Sequence, residues 1–342
     1  MTWWISVSPL ICITVFVLLF FPLTSDAATA LECDKYPDQD DAQSIIVAIK
    51  KGNIEQMRCL LQGGADINGV DQYGNTPLMA AAVRGETTMV QALMEKGAKL
   101  DTQDKHGYTA LMKATSKDYH DITEMLIESG RAGIDLQSED DGYTAIMIAA
   151  INNNLNGPIR CPATVGALLQ AGADLSLRSK GDIDGGKTVL HWAAMKGRET
   201  ILRAILQKVE KHLIDAQDNQ GRTAIMCAVD KNAQTSVTQL LEKGASLKTL
   251  DVNGDSALSI ATAYANGELV EIILEAGWAR GESMDLLKNT GLKGAARAIY
   301  FYVAKKLMPT TNRFIGILES MGMKMLSHNQ TTSSGGGPTS DL

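Results

Sequence analysis

One short pattern occurs six times in this chain: Gly, any residue, Thr or Ser, a small residue and an aliphatic residue, followed by an Ala-rich run. Successive copies are 33, 35, 44, 35 and 33 residues apart. A period in this range is typical of stacked repeat proteins, so the pattern predicts an all-α solenoid. Such folds present an extended surface rather than a closed pocket, which disfavours an enzyme. The copies begin at Gly74, Gly107, Gly142, Gly186, Gly221 and Gly254.

The second repeat, residues 71–103, shows how each unit is built. Asp71 to Gly74 is a turn, because Asp bonds nearby backbone and Gly tolerates left-handed geometry. Thr76 stands where it caps a helix that Pro77 opens and Gly85 ends. A second helix is predicted from about residue 88 to residue 96, and an extended leg leads to the next Asp. Each repeat is therefore a helix-turn-helix unit.

These motifs resemble those of the ankyrin repeat. The resemblance covers residues 41–281 and implies about seven units with β-turn legs, capped at both ends. It also implies that the protein is a monomer and that it recognises a protein partner on a concave face of turn tips and first helices. The matching segments are Asp71-Gln72-Tyr73-Gly74-Asn75-Thr76-Pro77-Leu78, Val189-Leu190-His191-Trp192-Ala193-Ala194, Leu60-Leu61-Gln62-Gly63-Gly64-Ala65-Asp66 and Leu168-Leu169-Gln170-Ala171-Gly172-Ala173-Asp174.

The partner-binding residues are predicted from their positions in the motif, where side chains differ between copies. Aromatic and Arg side chains are the usual anchors of interfaces. The predicted set is Tyr73, Arg84, Tyr108, Lys117, Tyr143, Lys187, Lys196 and Arg222.

The His that follows the aliphatic residue in the ankyrin motif is present only as His191. Met79, Met112, Met147 and Met226 replace it in other copies. Met fills irregular gaps in a core, and these residues are spread one per repeat, so we expect packing rather than a copper site. His191 is expected to be structural, not catalytic.

No catalytic or cofactor motif stands in a suitable context, so we expect neither an enzyme nor a cofactor nor a metal site. Nucleic-acid binding by the repeats is also not expected, because their acidic body would repel phosphates. The fourth repeat carries insertions around residues 152–161 and 179–185, which are either tolerated loops or part of the binding face. An enzyme with its site in this insertion or in the C-terminal helices is the remaining alternative.

The N-terminus predicts export. An apolar run from Pro9 to Leu23 precedes small-residue cleavage candidates at residues 25–27 and 28–30, as in a secretory signal peptide. The start carries no Lys or Arg, so an uncleaved membrane anchor over residues 3–23 is the alternative. Export leads to a periplasmic or secreted protein, and a translocated effector acting on host proteins is a further alternative.

Export would permit disulfide bonds. A bridge between Cys33 and Cys59 that clamps the N-terminus is one possible pairing, and the sequence leaves the pairing open. Cys227 is predicted to be a buried small hydrophobe.

The C-terminal part departs from the period. Between residues 288 and 328 there are seven Lys or Arg and one acid, in a chain of net charge −7. We expect a helical cap that covers the last repeat, and membrane contact through its basic helix is the alternative. The predicted divisions are a signal peptide or anchor over 1–27, a linker over 28–40, the solenoid over 41–281, the cap over 282–325 and a disordered tail over 326–342.

Overall fold

The computed structural model describes residues 42–130, 132–152, 161–181, 185–289, 294, 296–300 and 302. The chain divides into two compact units, Met1–Gly254 and Asp255–Leu342. In both units, the regular elements of the described residues are all helical, which confirms the predicted all-α class. None of the described helices is long and apolar enough to cross a membrane.

The described residues of the first unit form six helix pairs, numbered in chain order so that each odd-numbered helix is the first of its pair. A short 3₁₀ helix, Lys211–Leu213, follows the fifth pair. The pairs are α1 (Ala42–Lys50) and α2 (Ile54–Gln62), α3 (Pro77–Arg84) and α4 (Thr87–Glu95), α5 (Ala110–Ser116) and α6 (His120–Glu128), α7 (Ala145–Ile151) and α8 (Cys161–Gln170), α9 (Val189–Met195) and α10 (Glu199–Lys208), and α11 (Ala224–Asp230) and α12 (Gln234–Glu242).

The first helices begin where the repeated Thr predicts. The Thr76 hydroxyl accepts a hydrogen bond from the Met79 backbone N–H at 3.2 Å, and Thr109 does the same for Met112. Such a cap satisfies one of the amide groups that a helix start leaves free. Pro77 occupies the first turn of α3, and Gly85 ends that helix at φ +77°.

The core of the first unit lies between helices of neighbouring repeats. Alanines of the first helices, such as Ala81 and Ala194, are fully buried and let helices approach closely. Each Met in the place of the ankyrin His is about 1% exposed, which confirms core packing. These residues are Met79, Met112, Met147 and Met226.

The second unit contains the seventh helix pair, α13 (Ala257–Ala263) and α14 (Gly267–Ala279), followed by α15 (Ser283–Asn289). Helix α15 contacts both helices of that pair and buries Leu286 completely. Trp278 meets Tyr302 edge-on, with ring centroids 4.1 Å apart. The seven pairs agree with the predicted number of units.

Several predictions fall outside the described residues: the N-terminal segment with Cys33, the disordered tail, most of the first insertion in the fourth repeat, and residues 182–184 of the second. Cys59 is disulfide-bonded, with a partner that is not among the described side chains. Its pairing with Cys33 stays a prediction. Cys227 is a buried free thiol, as expected.

Candidate protein-interaction surface

The turns that open the second, third and sixth repeats are each held by one buried Asp side chain. In the second repeat the Asp71 carboxylate accepts hydrogen bonds from the backbone N–H groups of Tyr73 and Asn75, both at 2.9 Å. Asp104 and Asp218 hold their turns in the same way. A carboxylate that accepts several N–H groups fixes the turn backbone, because the short side chain replaces the missing backbone partner.

The turn tips of neighbouring repeats are joined by backbone hydrogen bonds. At each junction an N–H of one tip donates to a carbonyl of the tip before it. The tips therefore form one row, here called the tip row, whose backbone positions are fixed while the side chains differ. The five bonds run from Lys105 to Tyr73 (3.2 Å), Glu139 to His106 (2.9 Å), Lys180 to Asp141 (2.7 Å), Asn219 to Gly185 (3.1 Å) and Val252 to Gln220 (2.9 Å).

At four successive turns a second set of contacts, which the sequence analysis missed, ties one repeat to the next. The Gln103 side-chain amide donates to the Gly107 carbonyl in its own turn at 2.7 Å and to the Gln137 carbonyl of the next repeat at 2.9 Å. Gln137 and Gln217 repeat this arrangement, and the Arg178 guanidinium replaces the amide in the remaining case. Recurrent Gln directly before the turn was the signal in the sequence.

Four of the predicted binding residues are exposed. Tyr73 lies on the tip row with 58% of its surface exposed. Arg84, Lys117 and Lys196 are also exposed and lie at the ends of first helices. Arg84 additionally donates to the Lys50 carbonyl at 2.7 Å, so it joins two repeats as well.

Three other predicted residues meet in one cluster. The rings of Tyr143 and Trp192 meet edge-on at 5.6 Å, and the Lys187 ammonium lies 5.6 Å from the Trp192 ring. Asp218 connects Lys187, at 3.7 Å, to Arg222, at 3.4 Å. Through these contacts the cluster links Tyr143 of the fourth repeat to the fifth repeat and to Asp218 and Arg222 of the sixth.

The expectation for Lys187 is corrected by this cluster. The side chains of Lys187 and Asp218 are both fully buried, so the Lys187 ammonium does not lie on the surface. The turn of the next repeat covers the Lys187 side chain. The motif of a single repeat cannot predict this burial, because it does not include the neighbouring repeat. Trp192, half-buried beside it, was not predicted as a surface residue.

Tyr108 is half-buried and forms a separate group with Lys113 and Asp104. The Lys113 ammonium lies 2.6 Å from the Asp104 carboxylate and 5.7 Å from the Tyr108 ring. Burial alone would raise the pKa of Asp104, but the hydrogen bonds from Lys113 and from backbone N–H groups hold that pKa below its usual value. Burial and the carboxylate of Asp141 raise the pKa of Tyr108.

His191 is structural, as the family resemblance implied. One ring nitrogen lies 3.1 Å from the Thr188 backbone nitrogen and the other lies 3.0 Å from the Arg222 carbonyl oxygen. The side chain is completely buried, and burial lowers its pKa to about 4. A buried neutral imidazole thus joins the fifth repeat to the sixth.

The protonation of His191 makes stability depend on pH. The pKa of about 4 in the folded chain lies below the ordinary value of 6.5. Between these two pH values the imidazole is protonated in the unfolded chain and neutral in the folded chain. The contribution of neutral His191 to the free energy of unfolding is therefore complete above pH 6.5 and is lost as the pH falls toward 4. We expect a loss of roughly 3 kcal/mol over this interval, measured as the free energy of urea unfolding. His191→Gln should lack this dependence, and parallel losses in both proteins would contradict the assignment.

Among the described residues no group of three or more His, Cys, Asp or Glu could hold a metal ion. The arrangement offers fixed tips, exposed cations and half-buried aromatic rings. These are the features of a recognition surface, because aromatic and Arg side chains provide most binding energy at protein interfaces.

Comparisons with known proteins agree with this architecture. A family model described as ankyrin repeats (three copies) matches residues 23–104, 45–140, 96–158, 160–251 and 210–286. The human transient receptor potential cation channel subfamily A member 1 is 33% identical over 86 residues, which are 25% of this chain and 8% of that protein. The mouse nuclear factor NF-kappa-B p105 subunit is 33% identical over 129 residues, 37% of this chain and 13% of that protein.

The matched stretches are thus a small part of these relatives. Among solved structures, the ankyrin repeat domain of Bcl-3 aligns with a TM-score of 0.56 at 23% identity. The alignment covers 69% of this chain and 98% of that one, and it shows the fold alone.

Proposed function

Because the chain belongs to the ankyrin-repeat family, we propose that it is an exported scaffold that binds a protein partner through the tip row and first helices of its first unit. Membership of this family supports a role in protein–protein interaction. We add to it the surface that binds the partner and the compartment in which the protein acts. The observation that carries it is the tip row. Five backbone bonds fix the tips, whereas the side chains that they project differ from copy to copy.

Differing side chains on a fixed frame are suited to recognition, because little conformational entropy is lost when a preorganised surface binds. Tyr73 is exposed, and Tyr108 and Tyr143 are half-buried with their rings against neighbouring groups. Rings held in this way offer large contact area with little further ordering. We therefore assign the main binding contribution to these tyrosines.

Export is supported by the apolar N-terminal run and by the disulfide bond of Cys59, since disulfides persist in oxidising compartments. The intact mass of the tagged protein from native cell fractions tests it. A start near Ala28 or Leu31 means that the signal is cleaved. A retained Met1 in the membrane fraction means an anchored scaffold.

The binding surface is tested by the double variant Tyr108→Ala, Tyr143→Ala. We expect at least tenfold weaker capture of the crosslinked native partner, because two anchors of roughly 1 kcal/mol or more each are lost. The matched control is Arg58→Ala, Arg203→Ala, which changes exposed residues of the second helices α2 and α10. Unchanged capture by the tyrosine variant, at unchanged thermal stability, would remove this face from consideration.

A further inference from the structure

Five of the six first helices described in the first unit end in a basic residue or are followed directly by one. We call Lys50, Lys51, Arg84, Lys117, Lys196 and Lys231 the basic row. We define a helix end as the last helical residue and the residue that follows it. By this definition four of the six ends of the first helices carry net positive charge. The ends of α1, α3, α5 and α9 do so, the pair Asp230 and Lys231 after α11 is balanced, and α7 ends in Ile151 and Asn152.

The helix dipole does not explain this row. Cations at a helix C-terminus are favoured by roughly 0.3–1 kcal/mol, and that preference applies equally to the second helices. Yet of the six second helices only α10, which ends at Lys208, has a net positive end. The others end in Gln or Glu, and Lys96 and Lys243 there each follow a Glu. Helix ends with net positive charge are thus more frequent among the first helices than among the second helices.

Contacts between repeats place these ends side by side. Arg84 donates to the Lys50 carbonyl at 2.7 Å. Asn152 donates to the Ser116 carbonyl, and Arg198 donates to the Asn152 carbonyl at 2.6 Å. Consecutive first helices therefore end next to one another, and their cations lie along one side of the unit, with no cation at the α7 end between those of α5 and α9.

Part of the positive charge of the basic row is not balanced by acidic side chains of the described residues. Lys51, Lys117 and Lys196 are exposed, and among the described residues no acidic side chain forms an ion pair with any of them. Arg84 is partly balanced by Glu86 at 3.2 Å, and Lys231 by Asp230 at 3.0 Å. In the part of the chain that the structure describes, three ammonium groups thus lack an acidic side-chain partner.

We infer that the basic row binds an acidic, extended segment of the protein partner. This inference rests on the proposed function and names the chemistry of the segment. Packed helices lie about 8–10 Å apart, and an extended peptide advances about 3.3 Å per residue. An acid at every third residue would therefore lie near one helix end after another, and only the α7 end would offer it no cation.

A short peptide fits this surface better than a nucleic acid does. The chain carries a net charge of −7, and Glu139, Asp140 and Asp141 are exposed on the tip of the fourth repeat. A long polyanion would be repelled by the net negative charge of the chain. A peptide with spaced acids can follow the row alone.

The test uses a fluorescein-labelled peptide of four Glu-Gly-Ser repeats, with a Gln-Gly-Ser peptide and a twelve-nucleotide oligothymidylate for comparison. Binding to the full chain is measured by fluorescence polarisation at low and moderate salt. We expect the Glu peptide to bind, the Gln peptide not to bind, and the affinity to fall as salt rises. Lys117→Gln, Lys196→Gln should weaken Glu-peptide binding at least fivefold.

The matched control is Lys96→Gln, Lys243→Gln, which removes the same charge from exposed residues at the ends of second helices. Equal weakening by both variants, or no binding of the Glu peptide, would overturn the inference. Equally tight binding of the oligonucleotide through Lys117 and Lys196 would replace it with a nucleic-acid site. If the native partner depends on Tyr108 and Tyr143 but not on these lysines, the inference fails while the proposed function stands.

Discussion

Replacing Asp218 by Asn is expected to lower the free energy of unfolding by about 3 kcal/mol. The Asn oxygen can still accept the N–H groups of Gln220 and Arg222 that now bond the carboxylate, so the turn keeps its shape. What is lost is the negative charge 3.7 Å from the Lys187 ammonium, where both side chains are fully buried. A buried cation without its counter-charge is costly, because water cannot solvate it.

Asp71→Asn is the matched control for that experiment. Asp71 holds its turn by the same two kinds of N–H bond, but its cation, Lys50, lies 3.6 Å away with 54% of its side chain exposed. We expect this variant to lose about 1 kcal/mol or less in urea unfolding followed by circular dichroism. Adding Lys187→Met to Asp218→Asn should recover most of the loss. A double variant as unstable as Asp218→Asn alone would show that the buried charge is not the cause.

Replacing Gly107 by Ala is expected to cost about 3 kcal/mol, from left-handed strain and displacement of the next turn. Gly107 has φ +78°, a conformation that residues with a Cβ adopt only with strain. Its added Cβ would also overlap the backbone nitrogen of Glu139 in the next tip. That nitrogen donates to the His106 carbonyl at 2.9 Å, so one bond of the tip row would be broken.

Gly97→Ala separates the two causes. Gly97 has φ +86°, but no described atom lies within 4 Å of the place that its Cβ would take. It should therefore lose only about 1 kcal/mol in the same unfolding measurement. Losses of equal size at Gly107 and Gly97 would mean that the contact between neighbouring tips adds nothing to stability.

The fold could be predicted from the sequence because its determinants are local and recur. The turn Asp, the left-handed Gly and the capping Thr of residues 71–76 act within their own repeat, and their spacing gives the helix pairs. Burial of the four Met residues followed from the same periodicity. Each of these features depends only on residues a few positions away.

The candidate surface could be predicted only in part, since exposure depends on the neighbouring repeat. Lys187 stands at a variable motif position like Tyr108 and Tyr143, yet the sixth repeat supplies Asp218 and closes over it. The sequence shows a Gln directly before several of the turns, at residues 103, 137 and 217. It does not show their role, because one of the two carbonyl groups that Gln103 bonds lies 34 residues away from it in sequence.

The amide ties of Gln103 and Gln137 also bear on how a chain of this kind changes length. Each makes one bond within its own turn and one to the residue that precedes the next turn, and the two sets of contacts are equivalent. If residues 104–137 were excised, Gln103 would occupy the place of Gln137 and find the same two classes of acceptor. Whole repeats can thus be duplicated or removed in register, by recombination or by design, while the junction chemistry is preserved. The contacts at these junctions therefore do not fix the number of repeats, although each repeat removed takes its own tip side chains with it.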